Sequence, residues 1–123
     1  MKKEIEITWL DVPEEHDYAA AVSYLSLIYD ASLADNTAKE LHSDIVQQFK
    51  AKDIFRASGL SLLGISNSHV KKNVKKIKKG IKLSPILLVR DTQNGKVIIA
   101  DGYHRVCAVY LFNEDALIPC KIC

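Results

Sequence analysis

The 123-residue sequence predicts an α+β fold, a small mixed sheet packed by helices. Three observations carry this reading. Apolar residues recur at helical spacing through much of the first 80 residues, and Pro85–Ala100 holds two apolar runs around the tight-turn pair Asn94-Gly95. A third is the abrupt change at Asp101-Gly102, where an apolar run stops and a helical pattern begins with Tyr103-His104-Arg105.

Lys3–Val12 alternates as a first or edge strand, with Ile5, Ile7 and Trp9 against polar neighbours. Pro13 and the acidic pair Glu14-Glu15 open a helix running to about Asp30, with Tyr18, Ala21, Val22, Leu25 and Ile28 on its apolar stripe. A second helix is expected over Leu33–Ala51, because Ala34, Ala38, Leu41, Ile45 and Phe49 share one face. Asp53 is placed to cap a short helix that Gly59 ends. Ser66 or Ser68 opens another helix with Val70, Val74 and Ile77 inside, closed by Gly80. Ser84–Arg90 and Val97–Ala100 read as the strands of a hairpin, Tyr103–Phe112 as a helix and Leu117–Ile122 as a last strand. The order is β, α, α, short α, α, β, β, α, β in one domain covering 1–123.

Composition sets bounds on function. The chain is 48% hydrophobic and 26% charged, and no apolar stretch reaches transmembrane length, so no membrane association and a cytoplasmic location are expected. Residues 1–66 carry six Lys and Arg against eleven Asp and Glu, a balance of −5. Residues 67–123 carry eleven against four, a balance of +7, concentrated in Lys71, Lys72, Lys75, Lys76, Lys78, Lys79 and Lys82. Those lysines are also what the exposed face of an amphipathic helix requires, and no Arg or aromatic residue is interleaved with them. Cys107, Cys120 and Cys123 are an odd set that suits reduced thiols better than a disulfide framework. A zinc site of His104, Cys107, Cys120 and Cys123 can be drawn, but positions 120 and 123 fall on opposite faces of a strand, so no metal site is assigned.

The chemistry concentrates at Asp101–Arg105. A strand-to-helix junction aims several backbone N–H groups at one spot with the positive end of the helix dipole behind them, a natural anion site. Gly102 permits positive φ or close backbone approach, and Arg105 offers a planar fork for phosphate or carboxylate. His104 can donate to phosphate or act as acid/base. Asp101 is a candidate helix cap, metal ligand or general base. Lys52, Asp53 and Arg56 form a second polar cluster, expected as another wall of the pocket with Lys52 as a charge clamp.

The order of elements from residue 68 onward, with Pro85, Val89, Asp101, Gly102, His104, Arg105, Ala108 and Ile118-Pro119, resembles the ParB/sulfiredoxin-like superfamily over about half the chain. That resemblance implies a ParB/sulfiredoxin-like domain carrying an N-terminal extension of a strand and two helices over about 1–66. It also implies a phosphate cradle of Gly102, Tyr103, His104 and Arg105, with ATP or another nucleotide and Mg²⁺ as candidate cofactors. Tyr103 stands where sulfiredoxins carry their catalytic cysteine, which argues against sulfinic reductase chemistry, and partition-type operator binding, which in ParB proteins uses a helix-turn-helix domain after this fold, is not expected. KAKDIFRASGL (Lys50–Leu60) and ADGYHRVCA (Ala100–Ala108) are similar to segments shared by a group of small bacterial proteins of unassigned activity. The expected function is binding of a nucleotide or other phosphorylated small molecule, with phosphoryl-transfer or hydrolytic chemistry resting on Asp101 and His104. The alternatives are a nucleic-acid-binding or nuclease-type module using the Lys-rich helix 70–79, and a non-catalytic interaction module such as a homodimer.

Overall fold

The computed structural model describes residues 5–123. Its elements are α1 (Glu15–Leu25), α2 (Ala31–Ser43), β1 (Gln47–Lys50), α3 (Ala51–Ser58), α4 (Ser68–Lys78), β2 (Ile86–Asp91), β3 (Lys96–Asp101), α5 (Tyr103–Phe112) and β4 (Leu117–Ile122). The strands form one sheet in the order β1-β4-β2-β3. β4 runs parallel to β2, and the two outer pairs are antiparallel, so the sheet is mixed as expected.

Both faces of the sheet are covered. The alternation of β2 sends Ile86 and Leu88 into one cluster and Leu87 and Val89 into another. The first cluster lies under α3, α4 and α5, and the second under α1 and α2. This two-sided burial explains why β2 reads as a continuous apolar run rather than an alternating one. Among the described residues, no helix is long and apolar enough to cross a membrane.

Helix ends follow local chemistry. Asp30 caps α2 by accepting from Leu33 N–H at 2.8 Å, and Asn67 caps α4 by accepting from His69 and Val70 N–H. Gly80, at φ +71°, closes α4 with its own N–H on Ile77 O and the Ile81 N–H on Lys76 O, a Schellman ending. Lys121, buried on the α1–α2 face, donates from Nζ to His42 O at 2.8 Å and so satisfies a carbonyl of the last turn of α2.

Three expectations need correcting. The helix expected over Leu33–Ala51 stops at Ser43, and Gln47–Lys50 is instead a strand at the sheet edge, antiparallel to β4. Helical spacing of Ile45 and Phe49 with Leu41 is coincidental there. The β-branched pair Ile45-Val46 is poorly suited to extend a helix, and an open sheet edge was available to the extended chain. Secondly, Asp53 does not cap α3. Lys50 holds that position, and the first N–H groups of α3 bond to Ala116 O and Glu114 O, while Gly59 ends the helix at φ +68° as expected.

Thirdly, the alternating N-terminal segment is not a strand of the sheet. Lys3 and Glu4 lie outside the described residues. From Ile5 onward a single bridge pairs Trp9 with Leu83, and Ile7 and Trp9 pack against the core without extending the sheet.

The corrected ending of α2 has a measurable consequence. Leu41 is fully buried, whereas Ile45 is 75% exposed. In urea denaturation, Leu41→Ala is expected to cost roughly 2–5 kcal/mol. Ile45→Ala should stay within about 0.5 kcal/mol of wild type. A continuous helix through residue 49 would make both costly.

Candidate functional site

The junction between β3 and α5 is built around a buried charge cluster. Asp17, in the first turn of α1, is 4% exposed. Its Oδ2 accepts a hydrogen bond from Ser84 Oγ and lies 3.3 Å from Arg105 Nη1. Ser84 Oγ in turn accepts from Glu14 N–H at 3.0 Å. An acid three positions into a helix commonly bonds back to the capping residue's N–H, and here the Ser84 hydroxyl is inserted into that link. Arg105, 14% exposed at its side chain, places Nη2 2.6 Å from Asp101 Oδ2. One guanidinium thus spans α1, the end of β3 and the first turn of α5.

Backbone details make this possible. The β2–β3 register shifts between Leu87 and Leu88, leaving Ala100 as an extra residue on β3. Simple alternation would put Asp101 on the face of Ile99, with α3–α5. The bulge sets it opposite Leu87, on the α1 side, where Asp17 lies. Gly102 follows at φ +107°, and a Cβ there would collide with Ile86 Cδ1 and sit 2.8 Å from Arg105 Nη2. Glycine is therefore required both for the turn and for the guanidinium's position.

Above this cluster lies a polar cleft of about 350 Å³. Glu14, His16 and Asp17 form one wall, His69, Lys72, Asn73 and Lys76 of α4 another, and Asp101–Arg105 the base. No side chain caps α5, and its first backbone bond runs from Val106 N–H to Gly102 O. The N–H groups of Tyr103, His104 and Arg105 carry the positive end of the α5 dipole to the cleft. The His104 ring packs on His69 at 4.8 Å and on Tyr103 at 5.4 Å between centroids. Burial, and then the neighbouring His69, hold the His104 pKa below its ordinary value, which favours the neutral imidazole near pH 7. The Tyr103 hydroxyl donates to Ser61 O and ties the loop before α4 to α5.

The expected site residues divide into two groups. Asp101, Gly102, Tyr103, His104 and Arg105 come together at the cleft. Arg105, however, is not an open fork, since Asp101 and Asp17 occupy it, and Asp101 bonds Arg105 rather than capping α5. Lys52, Asp53 and Arg56 are not part of this wall. Lys52 pairs with Asp115 at 2.6 Å beside the start of α3, and Arg56 pairs with Asp53 at 3.5 Å on the surface. Their place is taken by Lys72 and Lys76.

Asp17, Ser84, His16 and His69 did not stand out in the sequence as site residues, and Lys72 and Lys76 stood out only as part of the Lys-rich helix 70–79 of the nucleic-acid alternative. A signal for Asp17 existed, because Asp17, Ala21 and Leu25 repeat every fourth residue and all three are buried. An acid on a buried stripe calls for a partner.

Glu14, His16 and Asp17 bring three donor atoms within 4.8 Å of one another, as do Glu40, Asp44 and Cys123 elsewhere. At the first group His16 Nε2 already lies 3.0 Å from Glu14 Oε2 and 3.3 Å from Asp17 Oδ1. Cys107 and Cys120 are buried, with thiols raised by burial, that of Cys120 to about 12, so neither is a ready nucleophile.

No family model matches the chain, and no curated protein or solved structure shows a significant similarity to it.

Removing Arg105 leaves two carboxylates without their cation, one of them buried. Arg105→Ala is expected to lose about 3 kcal/mol or more in urea denaturation, and retention of full stability would contradict the bridging role. A pH effect follows from His104. A base whose folded pKa is depressed contributes stability that is complete above its ordinary value of 6.5 and is lost as pH falls through the window below it. Asp101 acts in the opposite sense. Burial raises its pKa from 3.8, against the lowering charge of Arg105, so the fold gains as pH falls through that raised value. The stability difference between wild type and His104→Asn should therefore shift against wild type between pH 7.5 and pH 5.5. An unchanged difference would show that His104 is not desolvated.

Proposed function

We propose that the cleft between α1, α4 and α5 binds the phosphate groups of a nucleotide or another phosphorylated small molecule. One observation carries this reading. The uncapped first turn of α5 opens onto a polar cleft whose lysines, Lys72 and Lys76, have no ion-pair partner among the described residues. An oxyanion there gains backbone N–H donors, a helix dipole and two cations together. The resemblance of Asp101-Gly102-Tyr103-His104-Arg105 and its flanking residues to the ParB/sulfiredoxin-like superfamily supports the same assignment.

The roles in this reading differ from those of a simple arginine clamp. Arg105 positions the loop through Asp101 and Asp17, and the phosphate contacts fall to the backbone of 103–105 and to Lys72 and Lys76. Of the two acid/base candidates, His104 is the better placed, because Asp101 Oδ2 is committed to Arg105. A Mg²⁺ ion accompanying a nucleotide would find its nearest exposed carboxylate in Glu14 at the rim, displacing the His16 ring from Glu14 Oε2.

A second reading is nucleic-acid binding. It rests on the row of exposed lysines, Lys71, Lys75, Lys78 and Lys79, that continues beyond the cleft along α4.

The test is a thermal-shift panel of nucleotides and sugar phosphates with and without Mg²⁺, run beside Lys72→Gln/Lys76→Gln. Ligand at a hundred times its Kd adds about 2.7 kcal/mol, a rise of several degrees expected in wild type and lost in the variant. No shift with any phosphate compound, or an equal shift in the variant, would remove the reading. Steeply salt-dependent binding of a mixed-sequence oligonucleotide, with no nucleotide shift, would favour the second.

A further inference from the structure

A second depression, of about 380 Å³, lies at the other end of β3, between α3 and the turn of the β2–β3 hairpin. Its floor is apolar, formed by Phe49, Ile54, Leu88, Val97 and Ile122. All but Phe49 are core residues, so the sheet and α3 fix its shape.

The polar groups at its mouth are unevenly matched. Arg90 sits opposite Val97 in the hairpin, so its side chain leaves the sheet on the face of that floor. Lys96 Nζ reaches the end of α3, 4.0 Å from where a Cβ on Gly59 would stand. Neither cation has a side-chain ion-pair partner among the described residues. The two carboxylates at the rim are engaged. Asp53 pairs with Arg56, and Asp91 accepts from the backbone and side-chain N–H groups of Asn94 within the turn. The result is an apolar floor with two cations at its mouth that lack an ion-pair partner among the described residues, beside Asp91, whose carboxylate is hydrogen-bonded only to the neutral Asn94.

A cavity of this size, mostly apolar with a few polar groups at one edge, suits a small amphipathic ligand. We infer that the groove binds a medium-chain monocarboxylate. Its hydrocarbon lies against Ile54, Leu88 and Val97, and its carboxylate lies at Arg90 and Lys96. The inference is independent of phosphate binding at the cleft, which opens at the opposite end of β3.

Isothermal titration with hexanoate, octanoate, decanoate and decanol, each below its micellar concentration, tests it. Decanoate should bind saturably with one site per chain, and affinity should rise roughly tenfold for each two methylenes added. Decanol should bind at least tenfold more weakly. Arg90→Gln/Lys96→Gln should reduce the preference for decanoate over decanol to near unity. Ala57→Trp, which fills the groove from an exposed position on α3, should abolish binding while leaving the melting temperature close to wild type. No saturable decanoate binding overturns the inference, as does equal binding of decanol by wild type or undiminished binding by Ala57→Trp. A groove occupied by a second copy of the chain, seen as a dimer that Ala57→Trp dissociates, overturns it equally.

Discussion

The bridge from Asp17 through Arg105 to Asp101 is the constraint on which the arrangement of this protein depends. Asp17 occupies a position on α1 that packing alone would assign to an apolar residue, between the sheet and the helix. A carboxylate there is tolerable only with its hydrogen-bonding capacity filled, and Ser84 and Arg105 fill it. The arrangement recruits several other features. The bulge at Ala100 turns Asp101 to the same side, Gly102 leaves room for the guanidinium, and Ser84 links the start of α1 to the entrance of β2. Whether such a cluster adds net stability over an apolar substitute is secondary. It defines one geometry for three chain segments distant in sequence.

That geometry bears on function. By holding the β3–α5 turn from beneath, the cluster fixes the first turn of α5, whose N–H groups no side chain caps; in the proposed reading that turn is preorganised for an anion. The cations closest to hand, Lys72 and Lys76, come from another helix, whose packing on α5 through Val70, Val74 and Ile77 sets their position. Arginine serves as the rigid internal strut and lysine as the adaptable surface charge, in keeping with their different hydration and geometry. The two ends of β3 are thereby distinguished. One carries a polar, dipole-rich cleft, and the other an apolar groove with a cationic rim.

Much of this was legible in the sequence, for identifiable reasons. The hairpin, α5 and β4 were readable because Asn94-Gly95, Asp101-Gly102 and the apolar runs between them each allow few conformations. That Asp101, Gly102, His104 and Arg105 would meet at one junction was readable for the same reason, since they stand together where a strand gives way to a helix. The edge strand β1 was not, because Ile45 and Phe49 continue the spacing of α2, and an edge strand with mostly exposed side chains has no pattern of its own. The partner of Arg105 lies 88 positions away in Asp17, and only tertiary packing brings them together. Lys52, Asp53 and Arg56 drew attention as a polar cluster beside a short helix, yet their charges are spent locally on Asp115 and on each other.

The central claim is that the first turn of α5 is a preformed oxyanion site held in place from below by Arg105. It is tested most directly by following backbone amide resonances during titration with inorganic pyrophosphate. Saturable shifts should centre on Tyr103, His104 and Arg105, with smaller ones at Lys72 and Lys76, and Asp17 and Ser84 should remain nearly unmoved. Amides of 103–105 that stay fixed while resonances along α4 shift weakly and without saturation would contradict it.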